Sequence, residues 1–537
     1  MPKEQNPLKK ARRGEDNLQP EDESIGSESE ASGRSSRRSS RHSSDQEPFL
    51  ANDMIDLIFI EPDEKEFLVA APQFTHQLFD EKDRLEEVTF MEAPEECRVS
   101  IHIRCADLKH MIGVPSGSNA IEQQQLLGCL KKALPAHAEV FLLHGKNAGD
   151  DNEDEQEEDQ AYFDRLEKFA VETPERGRTK AGQNSSAECT APGKLVHSFI
   201  QDGDNFEIYL ASARDAGASE LLHRAERIAM WFIETADSID FSDERWQVLF
   251  LYRRCRQYID AAGRKKTGEI LSLAGYFTLF TFHNPFAGSK LRVCQALIFP
   301  HLQGRGLGRE LLLYTYKMAY QDASISEITV EDPAPGFQSM RDSVDLEWLY
   351  QHNGHTRRMT SAALKHDDAE MVARKLKLTM LQGEYLAEIE QYAALLEQAE
   401  ALGGSDSESG SKMLEETLKP LRLLVKRRLL RQFPDMKTLP KAKMQKELDT
   451  LYAEQQVRFE AGRKTRKRLF AISSQKPLDA EPRTANLYSA ASQSPSPSKV
   501  PISDKTGLSK EKTYKAQVEL DRQCVIKMKL SSPSKSV

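Results

Sequence analysis

The chain has 537 residues, enough for several domains, and no apolar run approaches the ~20 residues that a membrane-spanning helix needs. A formal net charge of −10 disfavours a general nucleic-acid binder and suits a basic partner. Seven scattered cysteines, odd in number and without a C-x-x-C pair, disfavour a disulfide framework and a zinc site and point to free thiols in a reducing compartment.

Residues 1–50 lack the apolar content to bury a core and are expected to be disordered; they show no signal-peptide core. KKARR (Lys9–Arg13) reads either as a nuclear localisation signal or as an ordinary charged tail, and RSSRRSSRHSS offers sites to basophilic kinases. Residues 51–215 are expected to form an α+β domain. Its strands are Ile55–Ile60, the alternating Val99–Cys105, EVFLLHG and NFEIYLASA. The acidic block at 150–160 reads as a solvated insertion, and 173–193 as a flexible loop.

Residues 216–345 carry the chemistry. A helix is expected over 219–240, with Leu222, Ala225, Ala229, Phe232 and Ala236 on one stripe. Strands follow at Trp246–Arg254 and Leu271–Phe282, then a strand at Leu291–Phe299, a glycine-rich turn and a helix to about Tyr320. Ser326–Asp332 reads as a further strand. Residues 346–470 read as a helical domain divided by the polar segment 402–412, with Leu421, Leu424, Val425 and Leu429 on one helix face. The basic run Arg463–Arg468 reads as a nucleic-acid contact, a second localisation signal or a solvated helix end. Residues 471–537, with Ser-Pro steps at Ser494, Ser496 and Ser532, are expected to be disordered.

The turn Gln303-Gly304-Arg305-Gly306-Leu307-Gly308 joins a strand to a helix N-terminus. Glycines let the backbone approach a phosphate closely, and the unpaired N–H groups of the helix start then face it. A pyrophosphate-bearing nucleotide is one reading, and a tight turn without a ligand is the other. The spacing is neither G-x-G-x-x-G nor a P-loop. Two acidic sites could deprotonate an amine: Glu331 and Asp332 at a strand end before Pro333, and Glu234 after the apolar tetrad Met230–Ile233. A lysine ammonium, near pKa 10.4, needs such a base at neutral pH, and desolvation would tune a carboxylate to the task. An ordinary turn charge and a helix-end ion pair are the respective structural alternatives. No HExxH or GxSxG motif is present.

The Q-G-x-G-x-G turn resembles motif A of the GNAT acetyltransferases. Several blocks in order resemble one family within them, the type B histone acetyltransferase catalytic subunits, or Hat-one family. They are FTHQLF (Phe74–Phe79), MWFIETADSIDFSDERW (Met230–Trp246), QALIFPHLQGRGLG (Gln295–Gly308), ITVEDPAPGFQSMRD (Ile328–Asp342) and LRLLVKRRLLRQF (Leu421–Phe433). The resemblance covers about residues 51–470.

It implies an α+β chain with an N-terminal mixed domain that recognises histone, a central GNAT domain with a mixed β-sheet and flanking helices, and a C-terminal helical domain. It implies acetyl transfer from acetyl-coenzyme A, without a metal, to lysines in the N-terminal tail of newly made histone H4. Glu331 takes the role of general base, with Asp332 and Glu234 in support. Ala296, Leu297 and Ile298 would lie along the donor's pantetheine arm, and Gln303, Gly304, Arg305, Gly306, Leu307 and Gly308 would hold its pyrophosphate. Glu81, Asp83, Phe280 and Phe282 would line the histone-tail groove. The family's partner is a WD40-repeat histone chaperone, and its location is nucleus and cytoplasm, with direct DNA binding not expected. Ala334, Pro335 and Gly336 stand where many members carry a serine. Two other readings stay open: a GNAT enzyme acting on another protein or a polyamine, and a non-catalytic histone-binding scaffold, which would need neither the acids nor the glycine turn.

Overall fold

The computed structural model describes residues 49–50, 52, 55–64, 68–75, 89–90, 98–115, 130, 134–135, 138–144, 153–172, 191–234, 236–260, 263–352, 366–401 and 408–474. Most of both expected tails, most of the 173–193 loop, and Glu81 and Asp83 lie outside these residues; of the expected tails, 49–50 are a strand and 471–474 the end of a helix.

Three sheets form. A short one pairs β1 (Phe49–Leu50) with β4 (Thr89–Phe90). A five-stranded sheet has the order β3-β2-β5-β6-β7, built from β2 (Ile55–Ile60), β3 (Leu68–Ala70), β5 (Val99–Arg104), β6 (Lys109–Pro115) and β7 (Glu139–Leu143). A six-stranded sheet has the order β13-β12-β11-β10-β9-β8, built from β8 (Lys194–Gln201), β9 (Asp204–Ala211), β10 (Trp246–Ile259), β11 (Lys265–Phe282), β12 (Ser289–Ile298) and β13 (Ile325–Val330). Only the β12–β13 pair in this sheet is parallel.

Within the acidic block, residues 153–160 are helical. They form the first turns of α1 (Glu153–Val171), where carboxylates favour the positive helix end. Further along α1, Tyr162, Phe163, Leu166 and Phe169 bury themselves with Ile60, Met111 and Leu143 of the five-stranded sheet. The helix expected over 219–240 is shorter, α2 (Ala218–Ala229). It stops there because the next carbonyls find other partners: the N–H groups of Gln73 and Phe74 donate to Trp231 O at 2.8 and 3.1 Å.

The period-2 alternation of β10 explains why the six-stranded sheet is covered on both faces. Leu249 and Leu251 join a core with α3 (Leu307–Gln321), α4 (Pro335–His352) and the C-terminal helices. Val248, Phe250 and Tyr252 face a second core that holds α2 and the inner residues of the five-stranded sheet. The C-terminal helices are α5 (His366–Leu376), α6 (Met380–Ala401), α7 (Glu408–Gln432) and α8 (Lys441–Ser474). Leu421, Val425 and Leu429 of α7 are buried as expected, but Leu424 is 39% exposed and lies off that face. Helix α7 already begins inside the polar divider at residue 408. The basic run on α8 is absorbed in ion pairs: Arg463 with Glu460 and Glu400, and Arg466 with Glu390 and Glu397 of α6.

Candidate active site

The two parallel strands part company at the middle of β12. Pairing with β13 ends at Val293↔Val330, where the Glu331 N–H donates to Val293 O at 2.9 Å. β12 runs on to Ile298, still paired with β11 through Ala296↔Phe277, Leu297↔Tyr276 and Ile298↔Gly275. In this stretch Gln295 N donates to Thr278 Oγ1 and Phe299 N to Ala274 O, both at 2.9 Å and both towards β11. Backbone groups alternate along a strand, so those of Ala296 and Ile298 point to the other edge, which β13 has already left. The Leu297 side chain is buried in the core between the sheets, and the groups β12 offers at this edge are backbone.

The strand ends in a 3-10 turn, Pro300–Leu302, and then the glycine turn. Gly304 and Gly306 have φ of 77° and 80°, a region costly for residues with a Cβ. A Cβ at either would meet nothing within 4 Å, so their space lies open to a ligand. Gly306 caps α3 without a side-chain hydrogen bond, which leaves the first N–H groups of the helix facing that space. Gln303 Nε2 closes the turn on Ile298 O at 2.8 Å. The Arg305 guanidinium turns away to Asp204 (2.7 Å) and Asp202 (3.1 Å), so its offer to a ligand is also backbone. Leu307 is buried, and Gly308 lies where a Cβ would come 3.2 Å from Met340 Sδ. An anion with a long polar arm fits this edge, turn and uncapped helix start.

Glu331 stands at the fork where β13 leaves β12. It is half-exposed, 3.6 Å from Arg292. It is thus reachable but is not the enclosed carboxylate that a desolvation argument requires. Asp332 does not continue the strand expected to reach it; its φ of 29° turns the chain out, and its side chain is exposed. Beside Glu331, burial pushes the Cys294 thiol up to about 12, and the carboxylate adds to this against the opposing charge of Arg292. A thiol so held is a poor nucleophile.

Phe282 is 39% exposed and lies under the Arg292 guanidinium at 4.6 Å, which brings it to the Glu331 side of the sheet. Phe280 is buried against Trp246 and Phe282, with ring centroids 4.7 and 4.6 Å away. Glu234 is neither on the helix nor buried; it lies in the turn beyond α2 and is exposed. That turn is fastened by residues the sequence reading passed over. Gln295 Nε2 donates to Asp237 O at 2.7 Å and its Oε1 accepts from Tyr276 Oη at 2.9 Å, while Glu226 accepts the Ile239 N–H at 2.9 Å. Burial raises the Glu226 carboxyl above its ordinary value against the pull of these donors. The visible signals were a glutamine inside an apolar strand and a glutamate on the apolar stripe of α2.

Comparison with known proteins places these features. Residues 151–234 match the family described as "Histone acetyl transferase HAT1 N-terminus". A histone acetyltransferase type B catalytic subunit of Aspergillus oryzae is 25% identical over 335 residues, covering 56% of this chain and 57% of the relative. The Emericella nidulans protein of the same description is 26% identical over 336 residues, covering 56% and 60%. The Homo sapiens one is 30% identical over 158 residues, covering 28% and 36%. The chain thus spans little more than half the length of the curated relatives it matches best. The expected α+β fold, with a mixed central sheet, flanking helices and a helical C-terminal part, is the one observed. By these matches the chain is similar to the type B histone acetyltransferase catalytic subunits over about half of its length, and residues 151–234 match the N-terminal model of that family.

Proposed function

We propose that the chain transfers an acetyl group from acetyl-coenzyme A to the ε-amine of lysines in the N-terminal tail of newly synthesised histone H4. The observation that carries this reading is the fork itself: a strand edge at Ala296 and Ile298 that β13 has left leads into an open glycine turn and helix start, with Glu331 at the point of divergence. The backbone of Ala296 and Ile298 would bind the donor's amide-bearing arm. The N–H groups of Gln303 to Gly308 would take its pyrophosphate. When bound, the donor supplies an acetyl thioester.

Glu331 removes the proton from the lysine ammonium, directly or through water, which its half-exposed position admits. Asp332 and Glu234, both exposed, add negative charge that attracts the cationic tail. Phe280 and Phe282, and beyond the described residues Glu81 and Asp83, extend the tail groove. Transfer is direct, because the only thiol described at the fork, Cys294, is held protonated. The chain's net charge of −10 suits a basic substrate, and a WD40-repeat histone chaperone in nucleus and cytoplasm is the matching partner.

The test is acetyl transfer by the full chain, supplied with acetyl-coenzyme A, to an H4-tail peptide and to spermidine. Modification of the peptide lysines supports the reading. Transfer to spermidine alone makes the chain a polyamine acetyltransferase. Donor binding with neither product leaves the scaffold reading.

A further inference from the structure

The glycine turn has little to hold it from outside. Gly304 and Gly306 meet no atoms where a Cβ would be, and glycine loses more freedom on ordering than any other residue. Its geometry must be fixed by the residues beside the glycines. Between the two glycines Arg305 is held by Asp202 and Asp204. Before them stands His301, the middle residue of the 3-10 turn between the cofactor strand and the glycines.

His301 reaches across to the five-stranded sheet. Its Nε2 lies 2.7 Å from Glu61 Oε1, immediately after β2, and each side chain is only 6% exposed. The other Glu61 oxygen accepts Arg253 Nη2 of β10 at 2.9 Å and Ser272 Oγ of β11 at 2.6 Å. One carboxylate therefore ties β2, β10, β11 and the start of the donor turn. Burial alone would raise its pKa, but the His301 hydrogen bond, the Arg253 and His301 charges and the Ser272 hydroxyl hold it down at about 2. An ionised Glu61 accepts only, so the His301 Nε2 donates to it. The imidazole also packs against Phe59 and Phe299, at centroid distances of 4.8 and 6.4 Å. A bare tight turn would need no such buried bond.

We infer that His301 is a positioning residue for the acetyl donor: its bond to Glu61 fixes the glycine turn in the geometry that receives the pyrophosphate, and makes the N-terminal sheet part of the donor site. This rests on the donor reading above.

The decisive variant is His301→Phe, which keeps a ring against Phe59 and Phe299 and leaves Glu61 its Arg253 and Ser272 partners. If the unlatched turn holds its binding geometry about a tenth of the time, the apparent Kd for coenzyme A rises about tenfold. The KM for acetyl-coenzyme A should rise with it, while kcat at saturating donor and the KM for the peptide stay within about twofold. His301→Gln, whose amide can donate to Glu61, should recover most of the loss. Amide hydrogen exchange on the ligand-free full chain gives an independent reading: exchange at Gln303–Gly308 should quicken in His301→Phe and not elsewhere in the sheet. Unchanged exchange in a folded variant overturns the inference whether or not the parent binds the donor. So does a uniform loss of protection across both sheets, which would make His301 merely structural. A parent that fails to bind coenzyme A sinks the donor reading, while the exchange result still decides the latch.

Discussion

Glu331 owes its place to backbone geometry: β13 stops at Val330 and the next carboxylate falls at the fork, beside Arg292 and Cys294. Two other residues make claims that can be checked singly. Gly306 sits at φ 80° with open space around it, so the cost of a side chain there is conformational. Gly306→Ala should lose about 1 kcal/mol of stability and raise the KM for acetyl-coenzyme A, and Gly306→Asn should be milder in thermal denaturation because Asn tolerates this region. Glu61 has its folded-state pKa lowered to about 2 from an ordinary 4.5. Its stabilisation is therefore complete above about pH 4.5 and is lost as the pH falls through about 2. Glu61→Gln should cost on the order of 3 kcal/mol in denaturant unfolding at pH 7. The gap to the parent should narrow between pH 4.5 and 3; a gap constant with pH would contradict the ionised assignment.

Among the elements, those whose apolar pattern is complete within a few residues were legible in the sequence: Ile55–Ile60, Val99–Arg104, the cores of β10 and β11, and the strand–glycine–helix unit at 289–321. β8 was not, because it is an edge strand with most of its residues exposed or half-buried and no clean alternation. Its turn did carry a hairpin signal, Asp202-Gly203, with φ of 51° and 87°. Helix α2 was overextended because Met230–Ile233 continue the apolar pattern while their backbone is claimed by Gln73 and Phe74. At the site, the glycine turn and Glu331 were readable from local motifs and resemblance. Glu234 is exposed where an enclosed carboxylate was expected, and the His301–Glu61 bond joins residues 240 apart, beyond any local pattern. In α7, burial separates neighbours: Leu421 is fully buried and Leu424 is 39% exposed. Leu421→Ala should cost about 3 kcal/mol in denaturant unfolding and Leu424→Ala less than about 0.5. Equal costs would mean that α7 packs by a different face.

Across the described residues the glycine turn is held from two directions, and the strand beyond the fork from a third. The five-stranded sheet reaches it through Glu61, and joins the central sheet where Leu273 N donates to Cys105 O at 2.8 Å. The β8–β9 hairpin holds it through Asp202 and Asp204. The C-terminal helices support the strand on the other side of the fork: Ile328 N donates to Lys377 O at 2.7 Å, and Lys377 Nζ caps the end of α3 at Ala319 O and Asp322 O. On the proposed reading, Glu331 at the fork is the carboxylate that takes the proton. The direct measurement is kcat for acetyl transfer from acetyl-coenzyme A to an H4-tail peptide, parent against Glu331→Gln, at saturating concentrations of both substrates. The account predicts a fall of at least about a hundredfold with coenzyme A affinity preserved. A variant as fast as its parent would contradict it and move the base elsewhere, with Glu234 the next residue to change.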